Sequence, residues 1–528
     1  MDYRSCKAIA ILAGVGILIF VNPALVCARQ NTVTGDLSVG YDLRERNYDE
    51  RSVEEAIEPS AEDTTGSETE VFLVEDRADD LNRIFIEPRL TFSSIGITDQ
   101  LTLTYAPRIN FEENDYANHL DHDFGLQATK NFSRDWSVSL SDTFFLGDDS
   151  LRESDTRTAV VGTPGAEDSG EAPAPVAGEE DQSGLSEQAA SRRFWRNELE
   201  LSTDYIYGED SVVGIGFSYG QLRNVDDDIG GYTEYDRYRG MLNASYRFNQ
   251  QWIAEADGQF TRGIFDEPEV AVVRVNPDEE DINIDVVEGR TSDDLREYDL
   301  STMVTYDWRV RDSLFTSYRF LATEYDHPLR DDVLGHEFAL GWSHDFNPHL
   351  HLTLSGGPSF AKIENRDWES DYNAYVDLTK DFMHASFRVY GEQGYELGNF
   401  DGRRSGPTLF WRSGVDYNHQ ISENLTGSIF GGYRNSQREQ LPDVVGVVII
   451  EGEGGGTGDV NLPESDNFEY TEEFYDAGLS LSYSFLRWYT VTGGYRYSNF
   501  ESELPSDSNY DEHRFFITLT ASKDLFRW

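Results

Sequence analysis

Cysteine is nearly absent from this 528-residue chain: only Cys6 and Cys27 occur, both within the first 28 residues. Beyond that point no disulfide framework, thiolate metal site or Cys nucleophile is available. Proline is sparse, with 16 residues in all, so no long polyproline or collagen-like stretch exists. After Val21 no run approaches the ~18 consecutive apolar residues that a spanning helix needs. Basic residues are outnumbered, 43 Lys+Arg against 98 Asp+Glu, for a net charge of −55. Such acidity argues against a nucleic-acid partner, whose phosphates it repels. No Gly-x-Ser-x-Gly elbow and no EF-hand spacing appears, and nothing marks a catalytic, cofactor or metal residue. Hydrophobic residues make up 38% of the chain and the mean hydropathy is −0.55, values typical of disorder. The aromatic share of 13% contradicts disorder, because acidic disordered chains are poor in Tyr, Phe and Trp.

What the chain does contain is alternation. Leu37, Val39 and Tyr41 are spaced by two, as are Ile84, Ile86, Leu90 and Phe92, and then Leu101, Leu103 and Tyr105. The rhythm continues through Trp136, Val138 and Leu140, through Val213, Ile215, Phe217 and Tyr219, and ends with Phe515, Ile517 and Leu519. Period 2 without a continuous apolar run is what a strand needs when one face meets lipid and the other a watery lumen. The pattern predicts an all-β fold: a transmembrane antiparallel up-and-down β-barrel of about twenty strands, its last strand closing on its first. Residues 1–28 read as a signal peptide, with Arg4 and Lys7 before the apolar stretch Ala8 to Val21 and cleavage after Ala28. Residues 29–528 form the barrel domain. Pro88 and Pro107 sit in consecutive strands and cannot donate to the ladder, so a bulge is expected there.

Connections alternate between short and long. Short ones include 131–135, Gly208, 249–250 and 347–348; long acidic ones include 44–80, 147–190, 266–297 and 436–467. Outer-membrane barrels keep short turns in the periplasm and long loops outside, which places both termini in the periplasm. Phe248, Trp252, Trp308, Trp342, Phe346, Trp488 and Trp528 fall beside short turns, as an interfacial aromatic girdle should. Residues 160–190, Gly454 to Gly456 and the acidic triplet Asp226 to Asp228 read as solvated loop tips.

Taking the apolar parity as outward turns Arg89, Arg108, Arg247, Arg319, Arg388, Arg412, Arg434 and Arg496 into the lumen. It turns Glu198, Glu200, Glu255, Asp257, Asp307, Glu337, Asp377, Asp416 and Asp476 the same way. These are the pore-lining candidates. An Arg on the lipid face at mid-depth would cost roughly 2–4 kcal/mol, and a one-residue slip would repeat that penalty on every strand. The charges either pair across strands and stiffen the wall or form a constriction that selects solutes by sign and size. Five histidines (His344, His349, His351, His384 and His419) lie near short turns, at spacings that need no metal to explain them.

The segments Leu37 to Asp42, Phe85 to Leu90 and Phe516 to Thr520 resemble the beta-barrel porin-2 family, in particular barrels found with exopolysaccharide export. The resemblance covers the whole mature chain through strand rhythm. It implies an outer-membrane pore, not an enzyme, serving as a passive conduit for polar solutes or secreted exopolysaccharide. The alternative is a surface-structural or adhesive barrel with a closed lumen and binding loops. Implied partners are outer-membrane lipid and lipopolysaccharide, the barrel-assembly machinery through the C-terminal strand, and periplasmic polysaccharide-export components. The chain departs from the usual ending: Trp528 replaces the common terminal Phe, and Ser522 to Asp524 break the outward parity.

Overall fold

Each alternating stretch becomes a strand because both of its faces are satisfied at once, one by apolar surroundings and one by polar ones. The computed structural model describes residues 29–48, 81–112, 119–147, 193–209, 211–225, 234–265, 272–275, 284–287, 294–326, 332–363, 367–397, 399–400, 407–439, 469–503 and 509–528. The segment read as a signal peptide, the tips at 160–190 and 454–456 and the triplet Asp226 to Asp228 lie outside the described residues.

Twenty antiparallel strands form one closed barrel. The first five are β1 (Gln30–Tyr48), β2 (Leu81–Ile95), β3 (Asp99–Tyr105 and Arg108–Glu112), β4 (His119–Asn131) and β5 (Trp136–Gly147). Next come β6 (Phe194–Gly208), β7 (Ser211–Asn224), β8 (Tyr235–Arg247), β9 (Trp252–Phe265) and β10 (Leu295–Arg309). The second half begins with β11 (Asp312–Tyr325), β12 (Val333–Asn347), β13 (Leu350–Ile363), β14 (Glu369–Asp381) and β15 (Ala385–Leu397). It ends with β16 (Pro407–Ser422), β17 (Leu425–Glu439), β18 (Glu469–Phe485), β19 (Tyr489–Ser502) and β20 (Tyr510–Arg527). A small hairpin, Val272–Val275 with Ile284–Val287, lies in the β9–β10 connection. The count of twenty agrees with the sequence reading.

Closure is by β20 on β1, from Thr32↔Arg527 to Tyr48↔Tyr510, and reciprocal backbone bonds tie Asn31 to Trp528 at 2.9 and 3.0 Å. The register slips by one residue between Val33 and Thr34, leaving Leu525 as the extra residue. That bulge accommodates the parity break: Lys523 keeps the outward parity at the short-turn end and lies 5.5 Å over the Trp488 ring. A long amine at this level reaches interfacial water.

The bulge expected at Pro88 and Pro107 is absent. Leu90 pairs with Tyr105 and Ile86 with Ile109, so the register is the same on both sides of the interruption. The two prolines therefore stand opposite each other, and the ladder simply skips a rung that neither could donate to. On the far side of β3, Ala106 N still donates to Asp123 O at 2.8 Å.

The outer face is apolar and exposed, with Leu37, Ile84, Ile215, Leu242, Leu340 and Ile517 among its residues. The aromatics named beside the short turns are largely exposed there, and Trp252 stacks on Tyr306 at 4.6 Å. The opposite rim repeats a motif that the sequence reading missed. Tyr105, Tyr318 and Tyr495 each stand opposite a Phe, and each hydroxyl shares a hydrogen bond with the Nδ1 of the His two residues before that Phe, so that the His ring is its partner in each case. The partners are His122, His336 and His513, at 2.9, 3.0 and 2.8 Å. Ring plus polar tip suits the level where lipid tails give way to headgroups.

Candidate functional site in the barrel lumen

Which parity is the inside follows from contacts between strands that are not neighbours. Glu337 on β12 accepts a bond from the backbone N of Tyr395 on β15 at 3.1 Å. Arg319 on β11 donates to the Tyr395 carbonyl at 3.4 Å. Outward side chains diverge around a convex wall, so contacts that span three or four strands belong to the concave side. The charged parity is therefore inward.

Arginines on this face bind acids on the adjacent strand, and across the closing seam Arg44 and Arg46 both reach Glu512, at 3.6 and 2.6 Å. Arg319 meets Asp299 at 2.7 Å, Arg388 meets Asp377 at 2.6 Å and Arg412 meets Glu392 at 2.9 Å. Arg496 meets Asp476 and Arg514 meets Asp42, at 2.7 and 2.6 Å, each through both Nε and Nη2. Arg434 instead reaches across β16 to Glu396. This ladder covers the arc from β10 round to β1 and leaves its two-nitrogen arginine–carboxylate pairs with little net charge. Arg319 is held most fully, because Glu337 adds a second carboxylate at 3.7 Å.

The remaining candidates are dispersed. Arg89 binds Glu87 on its own strand at 3.1 Å, and Arg108 is buried with its guanidinium 3.7 Å above the Phe85 ring. Arg247 lies at the short-turn end, 3.5 Å from the Gln250 carbonyl, and Asp307 accepts from the Ser313 hydroxyl at 2.7 Å. Asp416 shares the rung of Arg388. Glu198 on β6 binds Arg237 on β8 at 2.7 Å. Glu200, Glu255 and Asp257 line β6 and β9, where Glu200 and Asp257 are exposed and form no ion pair among the described residues. The partner acids Asp42, Asp299, Glu392 and Glu396 were missed, although the same alternation that selects Arg388 also selects Glu392 and Glu396.

The histidines near short turns are not brought together. His344 donates to Asp312 and His351 to Asp345, each at 2.7 Å, while His419 binds Tyr417 at 2.8 Å. Among the described residues no three His, Cys, Asp or Glu gather into a metal-holding group.

Apolar side chains reappear on the inward parity near the long-loop end. Phe145, Phe194, Leu222, Tyr235, Phe265 and Leu295, from β5 to β10, pack with Phe400 from the β15–β16 connection. Inward aromatics elsewhere lie flat over a facing glycine. Phe85 covers Gly40 and Phe315 covers Gly341, where any Cβ would collide with the ring.

No family model matches the chain and no curated protein matches it. The resemblance to the beta-barrel porin-2 family therefore rests on strand rhythm alone. Among solved structures the chain is similar to the siderophore receptor PirA from Pseudomonas aeruginosa, at 9% identity and TM-score 0.45, covering 93% of this chain and 80% of that one. It is also similar to Pseudomonas aeruginosa OpdO, at 12% identity and TM-score 0.40, covering 94% and 98%. A third is Acinetobacter baumannii OccAB4, at 10% identity and TM-score 0.39, covering 95% and 100%. A closed barrel with an apolar exterior and a charged interior satisfies the backbone ladder of its strands internally, as a wall that spans a bilayer must.

Proposed function

We propose that the protein is an outer-membrane channel, a passive conduit for polar solutes. Secreted exopolysaccharide is the polymer favoured by the family resemblance. One observation carries this reading: the inward face holds paired arginines and carboxylates around half of the wall and exposed carboxylates on β6 and β9. Such a surface stays wetted and offers hydrogen bonds to a hydroxyl-rich or ionic passenger. Of the residues named above as pore-lining, the exposed ones, such as Glu200, Asp257 and Arg388, are those that a passing solute would meet. Periplasmic polysaccharide-export components would deliver the polymer, the C-terminal strand would engage the assembly machinery, and lipopolysaccharide would surround the long-loop rim.

The test is conductance of the purified mature chain in planar bilayers, with swelling of liposomes in neutral sugars of increasing size. A channel gives discrete openings and size-limited sugar entry. Complete silence from both the intact chain and variants of its mouth would favour the second reading, a surface-structural barrel with a closed lumen. The apolar cluster around Phe400 is the observation on that side.

A further inference from the structure

The geometry points to the inward-leaning end of β15, with Asn399 and Phe400 beyond it, as the channel's constriction, and to Phe400 as the residue that decides what passes. This inference rests on the conduit reading and adds where and how that conduit is closed.

Strand β15 pairs with β14 over only eight rungs, Ala374↔Gln393 to Asp381↔Ser386. Above them β14 stays with β13 up to Glu369, while β15 stays with β16 up to Leu397. The two strands therefore part company at Gly394. The freed edge of β15 is held by groups across the lumen: Tyr395 N donates to Glu337, and Arg319 donates to Tyr395 O. A substituent on Gly394 would stand 3.2 Å from Glu337 Oε1, so the close approach of backbone to carboxylate uses the missing side chain.

Two residues beyond the strand, the chain is anchored again. Asn399 donates to Glu297 on β10 at 2.6 Å and accepts from the Tyr325 hydroxyl on β11 at 2.9 Å, and it is fully buried. Phe400 then enters a socket on strands six and seven places away around the wall. Its ring meets Tyr235 edge-on at 5.2 Å and stacks on Phe265 at 5.6 Å. The Arg237 guanidinium lies 5.3 Å from its centre, and the floor is Gly263, where a Cβ would fall 2.9 Å from two Phe400 ring carbons. A strand end leaning inward, a polar latch and an aromatic knob in a glycine-floored socket form one device that crosses the lumen from β15 to β8 and β9. Its constriction is apolar, whereas the wall below is charged, so hydrated solutes pass only when the knob leaves.

The experiment compares single-channel conductance and liposome swelling for the full mature chain, Phe400→Gly and Gly263→Val. The first variant removes the knob and the second fills its socket without touching the hairpin. Heat-modifiable migration on gels verifies that each barrel is folded. The expected result is a mostly closed wild type and at least a tenfold rise in open probability in both variants, a shift that corresponds to about 1.4 kcal/mol. Equal openings in all three proteins would overturn the constriction while leaving the conduit intact. Silence from all three would overturn the conduit reading, and the constriction with it.

Discussion

Replacing Arg319 with Met separates the structural weight of the inward charges from their effect on ions. In the native barrel its guanidinium meets Asp299 Oδ2 at 2.7 Å, Glu337 Oε2 at 3.7 Å and the Tyr395 carbonyl at 3.4 Å. The three charged side chains are only 18%, 20% and 12% exposed. Methionine fills similar volume but leaves two carboxylates facing each other with their shared cation gone. Breaking a buried pair from one side costs about 3–5 kcal/mol, and allowing for the residual solvent contact the expected loss is about 2–4 kcal/mol. Arg388 is the control: it meets Asp377 at 2.6 Å, yet its side chain is 49% exposed, so Arg388→Met should cost about 1 kcal/mol or less. Urea unfolding in lipid vesicles, followed by tryptophan fluorescence, gives both numbers. Adding Asp299→Asn and Glu337→Gln to Arg319→Met should recover at least half of the loss, because the orphaned negative charges are then gone. Equal destabilisation by the two Arg variants, or no recovery in the triple variant, would refute the claim that paired burial sets the cost.

Arg388→Glu and Arg412→Glu should shift the reversal potential of open channels toward cation selectivity, since each changes the wall by two charges; an unchanged potential would confine both residues to stiffening the wall. Leu340 is 70% exposed in the middle of the outward face of β12, so Leu340→Arg should cost roughly 2–4 kcal/mol in lipid. Unfolding as late as wild type would contradict the assignment of that face to lipid. Leu486 and Arg487, in the β18–β19 turn, hold φ of 53° and 65°, where each side chain costs roughly 1–2 kcal/mol. Replacing the pair with Asn-Gly should raise the unfolding midpoint, and a fall would show that the turn's side chains contribute more than its backbone conformation.

Strand order, count and facing were legible because lipid and water impose opposite demands on successive side chains, and a slip penalises every strand at once. The same rule located the arginines. It did not name their acids, because partner choice depends on register and reach. Arg434 passes over β16 to Glu396, whereas Arg412 takes Glu392 from the strand beside it. The proline reading failed for a related reason: β2 and β3 place Pro88 opposite Pro107, so two missing donors fall on one rung and need no extra residue. Asn399 and Phe400 carried no signal at all. They lie in a nine-residue connection without periodicity, and their partners are at residues 235, 265, 297 and 325.

The two halves of the lumen differ in a way that bears on what it admits. From β10 to β1 the arginines are paired with carboxylates, Arg319 with two and Arg44 and Arg46 with Glu512 together, so that arc presents mostly compensated polarity. From β6 to β9 the mid-wall carries the exposed Glu200 and Asp257, while Arg196, Arg237 and Arg239 of the same face are buried, Arg239 on the rung of Glu200, and Arg247 lies at the short-turn end. Phe400 sits above this acidic sector, against Tyr235 and Phe265. The path uncovered by its withdrawal passes the exposed carboxylates of Glu200 and Asp257, which favour cations over anions there. Neutral polyols and cations should gain most from an open mouth, while a polyanion must keep to the compensated side.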